Sequence, residues 1–131
     1  MELTGEIKEL FENEPYHQLS TASLEGAPNV SNIGCKYIRD DGVIVLVDNY
    51  MKKTKKNVIA NPRVAILVRK DKISYQIKGS CKYATEGPEY DQARKWMKSK
   101  GEKYPAKGAI IVSVEAVYDS TTRASAGEKV L

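Results

Sequence analysis

Lys52, Lys53, Thr54, Lys55 and Lys56 set four ammonium groups around one hydroxyl within five consecutive residues. A lysine run by itself is most often a solvated face. Here it follows Val43–Val47, an unbroken apolar run that reads as a buried strand and stops at Asp48-Asn49. Asn57-Val58-Ile59-Ala60 then continues as a short helix, with Thr54 expected as its N-cap and Asn61-Pro62 as its stop. A strand feeding the start of such a helix presents free backbone N–H groups and the positive end of the helix dipole to an anion. The chemistry suggested is the binding of one compact phosphate.

Other reactive residue types are sparse. His17 is the only histidine and has no second acid–base group beside it, so it is expected to be structural. The two cysteines, Cys35 and Cys81, fall on separate predicted strands without metal-ligand spacing, and reduced core thiols are expected rather than a zinc site. There is no Ser–His–Asp set, no pair of carboxylates suited to a cleft and no glycine-rich nucleotide fingerprint. No side chain is therefore nominated as acid, base or nucleophile, and no metal site is expected.

The elements that must position the phosphate seat follow from periodicity. Thr4 to Asn13 is an amphipathic helix, with Ile7, Leu10 and Phe11 on one face, and is expected to cover a barrel opening. Strands are read at Tyr16–Ser23, Asn29–Arg39, Val43–Asp48, Val64–Arg69, Ile73–Ala84 and Ala109–Tyr118, with a helix over Glu89–Lys100 whose Tyr90, Ala93, Trp96 and Met97 form a packing face. Six strands and short helices joined by tight turns imply a mainly β protein with an antiparallel barrel, not a βαβ layout. At 131 residues and 41% hydrophobic composition, residues 1–131 form one domain with one core. The stretch 119–131 is polar and lacks a core pattern, so it is either loose or docks on a partner subunit. No apolar run approaches the ~20 residues of a membrane span and the N-terminus is acidic, so a cytoplasmic location is expected.

The net charge is +4, and Lys52 to Lys72 holds eight cations against the single anion Asp71. Such a patch suits an anionic partner, either a cofactor phosphate or a nucleic-acid backbone. Tyr37 and Tyr75 could stack bases in the latter case, but charge concentrated at one helix start fits a single phosphate better.

Met51-Lys52-Lys53-Thr54 with Asn57-Val58 and Asn61-Pro62-Arg63-Val64 resembles the flavin-phosphate segment of the split-barrel FMN-binding family, which includes the pyridoxamine 5'-phosphate oxidase-like proteins. Thr21-Ala22-Ser23 with Gly26, Pro28-Asn29-Val30 and Asn32 resembles that family's first hairpin. Gly79-Ser80 with Thr85 to Glu89 resembles its later strand and helix entry. Within the family the likeness is greatest to the small FMN-binding proteins of sulfate-reducing bacteria, which share Lys-Thr at positions 53 and 54 but carry a bulky aromatic near Gly34.

The resemblance implies a six-stranded antiparallel split β-barrel that binds FMN at a homodimer interface, acting as an oxidoreductase or electron carrier. It implies that Lys53 and Thr54 hold the phosphate, that Asp48, Asn49 and Met51 line the ribityl side, and that Asn32, Ile33, Gly34 and Cys35 face the ring. A strand glycine at position 34 permits close approach of a flat ligand, although a barrel bend would use it equally. Gln76 is a minor candidate beside the dimer-related flavin. Oxidation of pyridoxamine phosphate itself is less favoured, because 119–131 offers only Arg123 and Lys129 as cations. A deazaflavin coenzyme, and a small basic barrel binding nucleic acid, are the alternative readings.

Overall fold

The computed structural model describes residues 2–131. Helix α1 (Gly5–Asn13) is followed by strands β1 (His17–Ala22), β2 (Pro28–Ile33), β3 (Lys36–Ile38) and β4 (Ile44–Asp48). Helix α2 (Lys53–Ala60), strands β5 (Arg63–Lys70) and β6 (Ile73–Ala84), helix α3 (Pro88–Lys100) and strand β7 (Gly108–Asp119) complete the chain. All strand pairings are antiparallel, in the order β2-β1-β5-β6-β7-β4-β3.

Among the described residues there are seven strands rather than six, because the expected strand Asn29–Arg39 breaks at Gly34-Cys35. Its first half pairs with β1 and its second with β4, at opposite ends of the sheet order. Two end strands separated by two residues can coexist only if the sheet curls until its ends meet. The break is thus what closes the split barrel. The Cys35 carbonyl accepts from the Val47 amide at 2.9 Å and anchors the junction to β4.

The barrel interior holds Leu19, Ile33, Ile44, Leu46, Ile66, Ile77 and Ile110, and α1 closes one opening with Ile7, Leu10 and Phe11. Thr4 caps that helix, its hydroxyl accepting from the Ile7 amide. At the other end of α1 the buried Lys36 ammonium donates to the carbonyls of Phe11 at 2.7 Å and Glu14 at 2.8 Å, supplying partners that the last helical turn lacks. Burial lowers the Lys36 pKa.

The apolar run of β4 has no alternation because both of its faces are covered. Ile44 and Leu46 enter the barrel core, while Val45 and Val47 pack with Ala93 and Met97 of α3 in a second cluster. Gly79 sits at a register shift between β6 and β7, where a Cβ would land on the Ser113 carbonyl oxygen. The segment after β7 is not loose: it folds back on its own barrel. Val130 N donates to Val117 O at 2.8 Å, and the Asp119 carboxylate gathers Thr121 N, Arg123 Nε and Ser125 Oγ. These hydrogen bonds hold the Asp119 pKa well below the ordinary carboxylate range.

Candidate functional site

Helix α2 begins two residues earlier than its sequence signal suggests. Lys52 occupies the N-cap position, no side chain caps the helix, and the first intrahelical bond runs from Lys56 N to Lys52 O. The amides of Lys53, Thr54 and Lys55 therefore precede the helical ladder and lack acceptors within it. Thr54, expected as the cap, is instead the second helical residue and is buried. Its Oγ1 accepts from Asn29 Nδ2 at 3.2 Å and lies 3.3 Å from Ser31 Oγ. Asn29 Nδ2 also donates to Thr21 Oγ1 at 3.3 Å, and Asn57 Nδ2 donates to the same oxygen at 3.0 Å. This polar ladder fastens α2 to the β1–β2 hairpin and fixes the Thr54 hydroxyl, whose proton remains available to Ser31 or to an oxyanion.

The charge around that hydroxyl is uncompensated. Among the described residues, none of Lys52, Lys53, Lys55 and Lys56 has a carboxylate oxygen within salt-bridge distance. Lys55 Nζ instead lies 5.3 Å from the centre of the Tyr83 ring.

Seven of the nine residues expected at a cofactor site, Asn32, Ile33, Gly34, Cys35, Asn49, Met51 and Thr54, line one cavity of ≈ 260 Å³. It lies where the β2–β3 junction faces the start of α2. Ser31, Val47 and Tyr50 line it as well. Sequence reasoning passed over them, though Ser31 and Val47 adjoin predicted residues or lie in the predicted strand. Lys53 lines a neighbouring cavity of ≈ 430 Å³ between α2 and the β1–β2 turn, together with Asn29, Lys56 and Asn57.

Asp48 lies beneath the site rather than on its wall. It is fully buried, and its carboxylate accepts from the Met51 amide at 2.8 Å and the Tyr83 hydroxyl at 2.5 Å. Its role in the geometry is to shape the turn from β4 into α2. Burial, followed by this carboxylate, raises the Tyr83 pKa. Asn49 is similarly committed: Nδ2 reaches Cys35 Sγ and Met97 Sδ, each at 3.4 Å, and Oδ1 accepts from Ala106 N at 2.9 Å. One amide thereby ties the barrel junction, α3 and the loop before β7 together. Cys35 is half-buried and its thiol pKa is raised by burial.

His17 lies outside the site. Its Nε2 is 3.1 Å from Phe11 O, its ring stacks on Phe11, and burial lowers its pKa. Cys81 packs against the barrel core as a free thiol, its pKa pushed up to about 11 by burial. Gln76 lies on β6 opposite Tyr118 and away from the cavity residues.

Residues 3–121 match the family model of pyridoxamine 5'-phosphate oxidase. The chain belongs to this family. An uncharacterized protein of Methanocaldococcus jannaschii is 32% identical to this pyridoxamine 5'-phosphate oxidase family member over 131 residues, covering 98% of this chain and 87% of its relative. The crystal structure of Group A Streptococcus HupZ matches with a TM-score of 0.81 at 26% identity, covering 95% of this chain and 99% of that one. An FMN-binding protein from Syntrophomonas wolfei shares the fold at TM-score 0.75 and 16% identity, covering 88% and 84% of the respective chains. The heme storage protein HutZ from Vibrio cholerae shares it at TM-score 0.71 and 18% identity, covering 92% and 97%. One fold is thus shared with a protein named for FMN binding and one named for heme storage.

For this family member the donor set suits a phosphate: three leading amides, the Thr54 hydroxyl and unpaired lysines stand beside the cavity at the β2–β3 junction. The space that Gly34 leaves is taken by the Tyr16 ring, 3.0 Å from where a Cβ would stand, and is not left to a ligand. The donor set offers no imidazole to a heme iron, because the one histidine is buried against Phe11. Among the described residues no group of three His, Cys, Asp or Glu could hold a metal ion, and no helix is long and apolar enough to cross a membrane.

Proposed function

We propose that this protein binds FMN and works as an oxidoreductase or electron carrier. The observation that carries the reading is the uncapped start of α2, where the buried Thr54 hydroxyl and unpaired lysines adjoin the cavity formed by the β2–β3 junction. In this reading Thr54, Lys53 and the leading amides of α2 hold the phosphate. Asn49 and Met51 border the ribityl chain, and Asn32, Ile33, Gly34 and Cys35 meet the ring, with Asp48 supporting the turn from below. FMN supplies hydride and single-electron chemistry, whereas the protein supplies affinity, orientation and tuning of the ring.

The cavity volume of ≈ 260 Å³ is below the ~300–1,000 Å³ usual for ligand pockets. A second copy that completes the walls accounts for the shortfall, so a symmetric homodimer is part of the proposal. The larger cavity beyond Lys53 favours one second reading, a deazaflavin coenzyme with anionic groups past its phosphate.

The deciding experiment is an absorbance spectrum of the purified protein, alone and with added FMN, before and after dithionite. A flavin spectrum that bleaches supports the reading, and replacement of Lys53 and Thr54 by alanine should abolish FMN retention while leaving the circular dichroism unchanged. A protein that takes up no FMN, or a double variant with undiminished affinity, refutes it.

A further inference from the structure

A second basic surface is not used by the phosphate seat. Between Arg94 and Lys107 the chain carries Arg94, Lys95, Lys98, Lys100, Lys103 and Lys107 against one anion, Glu102. The first turn of α3 adds Glu89, which is bridged to Arg39 and Lys82, and the exposed Asp91, so that 88–107 as a whole carries six cations against three anions. All six cations lie on α3 or the loop that follows it, and all but the half-buried Lys98 are exposed. Among the described residues none of the six is salt-bridged. Half-buried Trp96 and Tyr104 sit between them.

The surface is held in one shape. Lys98 Nζ donates to Tyr104 O at 2.6 Å, and the Tyr90 hydroxyl donates to Ala106 O at 2.7 Å. Lys107 N donates to Asp48 O at 2.8 Å and Ala106 N to Asn49 Oδ1 at 2.9 Å. The last two bonds join the loop to β4 and to the residue that lines the candidate cofactor cavity. The inner side of the loop therefore backs onto the Asn49 wall of that cavity.

Aromatic residues among unpaired cations match the composition of binding hot spots, and the charge selects an acidic partner. The ring faces argue against nucleic acid. Lys100 Nζ lies 5.6 Å from the Trp96 ring centre and Lys103 Nζ 5.5 Å from that of Tyr104, so ammonium groups occupy positions on which a base would stack. The geometry points to the α3 face and the following loop as the docking surface for an acidic electron-transfer protein, which exchanges single electrons with the flavin across the Asn49 wall. The redox role of this surface rests on the FMN reading. The docking itself does not.

The test uses a plant-type [2Fe–2S] ferredoxin as the acidic probe. One triple variant, Arg94→Glu/Lys95→Glu/Lys103→Glu, reverses charge on the surface. A charge-matched variant, Arg69→Glu/Lys70→Glu/Lys72→Glu, alters the β5–β6 turn. With FMN-loaded protein, reduced ferredoxin should reduce the flavin at least about tenfold more slowly in the first variant, and the salt dependence should largely disappear. The second variant should behave as wild type, and photoreduction by a small neutral reductant should be equal in all three. Equal slowing in both triples, or slowing in neither, overturns the proposal.

If the protein takes up no FMN, the redox reading fails alone. Calorimetric titration with ferredoxin then still tests docking: a salt-sensitive complex lost only in the α3 variant sustains it, and no complex overturns it. Tight binding of oligo(dT) lost in the α3 variant, without binding of ferredoxin, also overturns it in favour of nucleic acid.

Discussion

Replacement of Thr54 by valine separates the phosphate-binding role of the hydroxyl from its part in the fold. The side chain is 5% exposed, and valine fills nearly the same space, so the change removes an oxygen without opening a cavity. In the absence of ligand, the loss is the bond from Asn29 Nδ2 and the shared proton with Ser31, while Asn29 keeps its bond to Thr21. A net cost of about 1 kcal/mol follows for a neutral hydrogen bond. With a urea dependence of about 2 kcal/mol per molar, the unfolding midpoint falls by about 0.5 M. The effect on ligand is larger, because a hydrogen bond to a charged group contributes about 1.5–3 kcal/mol. FMN affinity should fall about 10- to 150-fold.

Lys52→Ala is the informative control. Lys52 is exposed and acts through its field, so its effect should be smaller and should fade between 0.15 M and 1 M salt, as the screening length shortens from about 8 Å to about 3 Å. Quenching of flavin fluorescence during titration with each protein gives both affinities at both salt concentrations. A Thr54→Val protein that binds FMN within a factor of two of wild type, or a Lys52→Ala protein that is worse than Thr54→Val at high salt, refutes the assignment of the phosphate to the hydroxyl.

Other consequences follow from buried groups. His17 is held neutral with a lowered pKa, so the unfolded chain takes up its proton first as pH drops through about 6.5. Stability should then decline by up to about 1.4 kcal/mol per pH unit until the folded-state value is reached, and His17→Gln should flatten the urea midpoint between pH 7 and 5. Asp119 has the opposite character: its lowered pKa gives stability that is present above about 3.9 and is lost as pH falls further, a loss that Asp119→Asn should remove. Gly79→Ala drives a methyl group into the Ser113 carbonyl at the β6–β7 register shift and should cost at least about 1–3 kcal/mol in denaturant titration, while a neutral result would mean that β7 shifts freely. Iodoacetamide at pH 8 should modify the half-buried Cys81 only slowly in the native protein, because its pKa is pushed up to about 11, and saturating FMN should slow modification of Cys35; mass spectrometry of peptides resolves the two thiols.

Most of the elements could be read from local sequence, because local forces set them. Alternation and helical spacing marked the main strands and the packing faces of α1 and α3, where Ile7, Leu10, Phe11, Ala93 and Met97 are buried. The lysine-threonine segment suggests an anion seat in the sequence because charge type and helix start lie next to each other in the chain. The sequence also announced β4 as buried, but not why, since covering both of its faces takes the barrel core on one side and α3 on the other.

Tertiary structure decided the rest. Gly34-Cys35 splits one apparent strand because barrel closure sends its halves to opposite ends of the sheet, a constraint no local pattern carries. Thr54 serves inside the first turn rather than at the cap because Asn29 and Ser31, 25 and 23 residues away, compete for its hydroxyl. Asp48 and Asn49 are turned to support because Tyr83, Cys35, Met97 and Ala106 arrive from distant elements and consume their polar atoms. The polar 119–131 segment, which has no apolar periodicity of its own, is held by hydrogen bonds to β7 and around the Asp119 carboxylate. Sequence fixes residue types and their neighbours in the chain, whereas the partners that decide the work of each polar group are brought to it by folding.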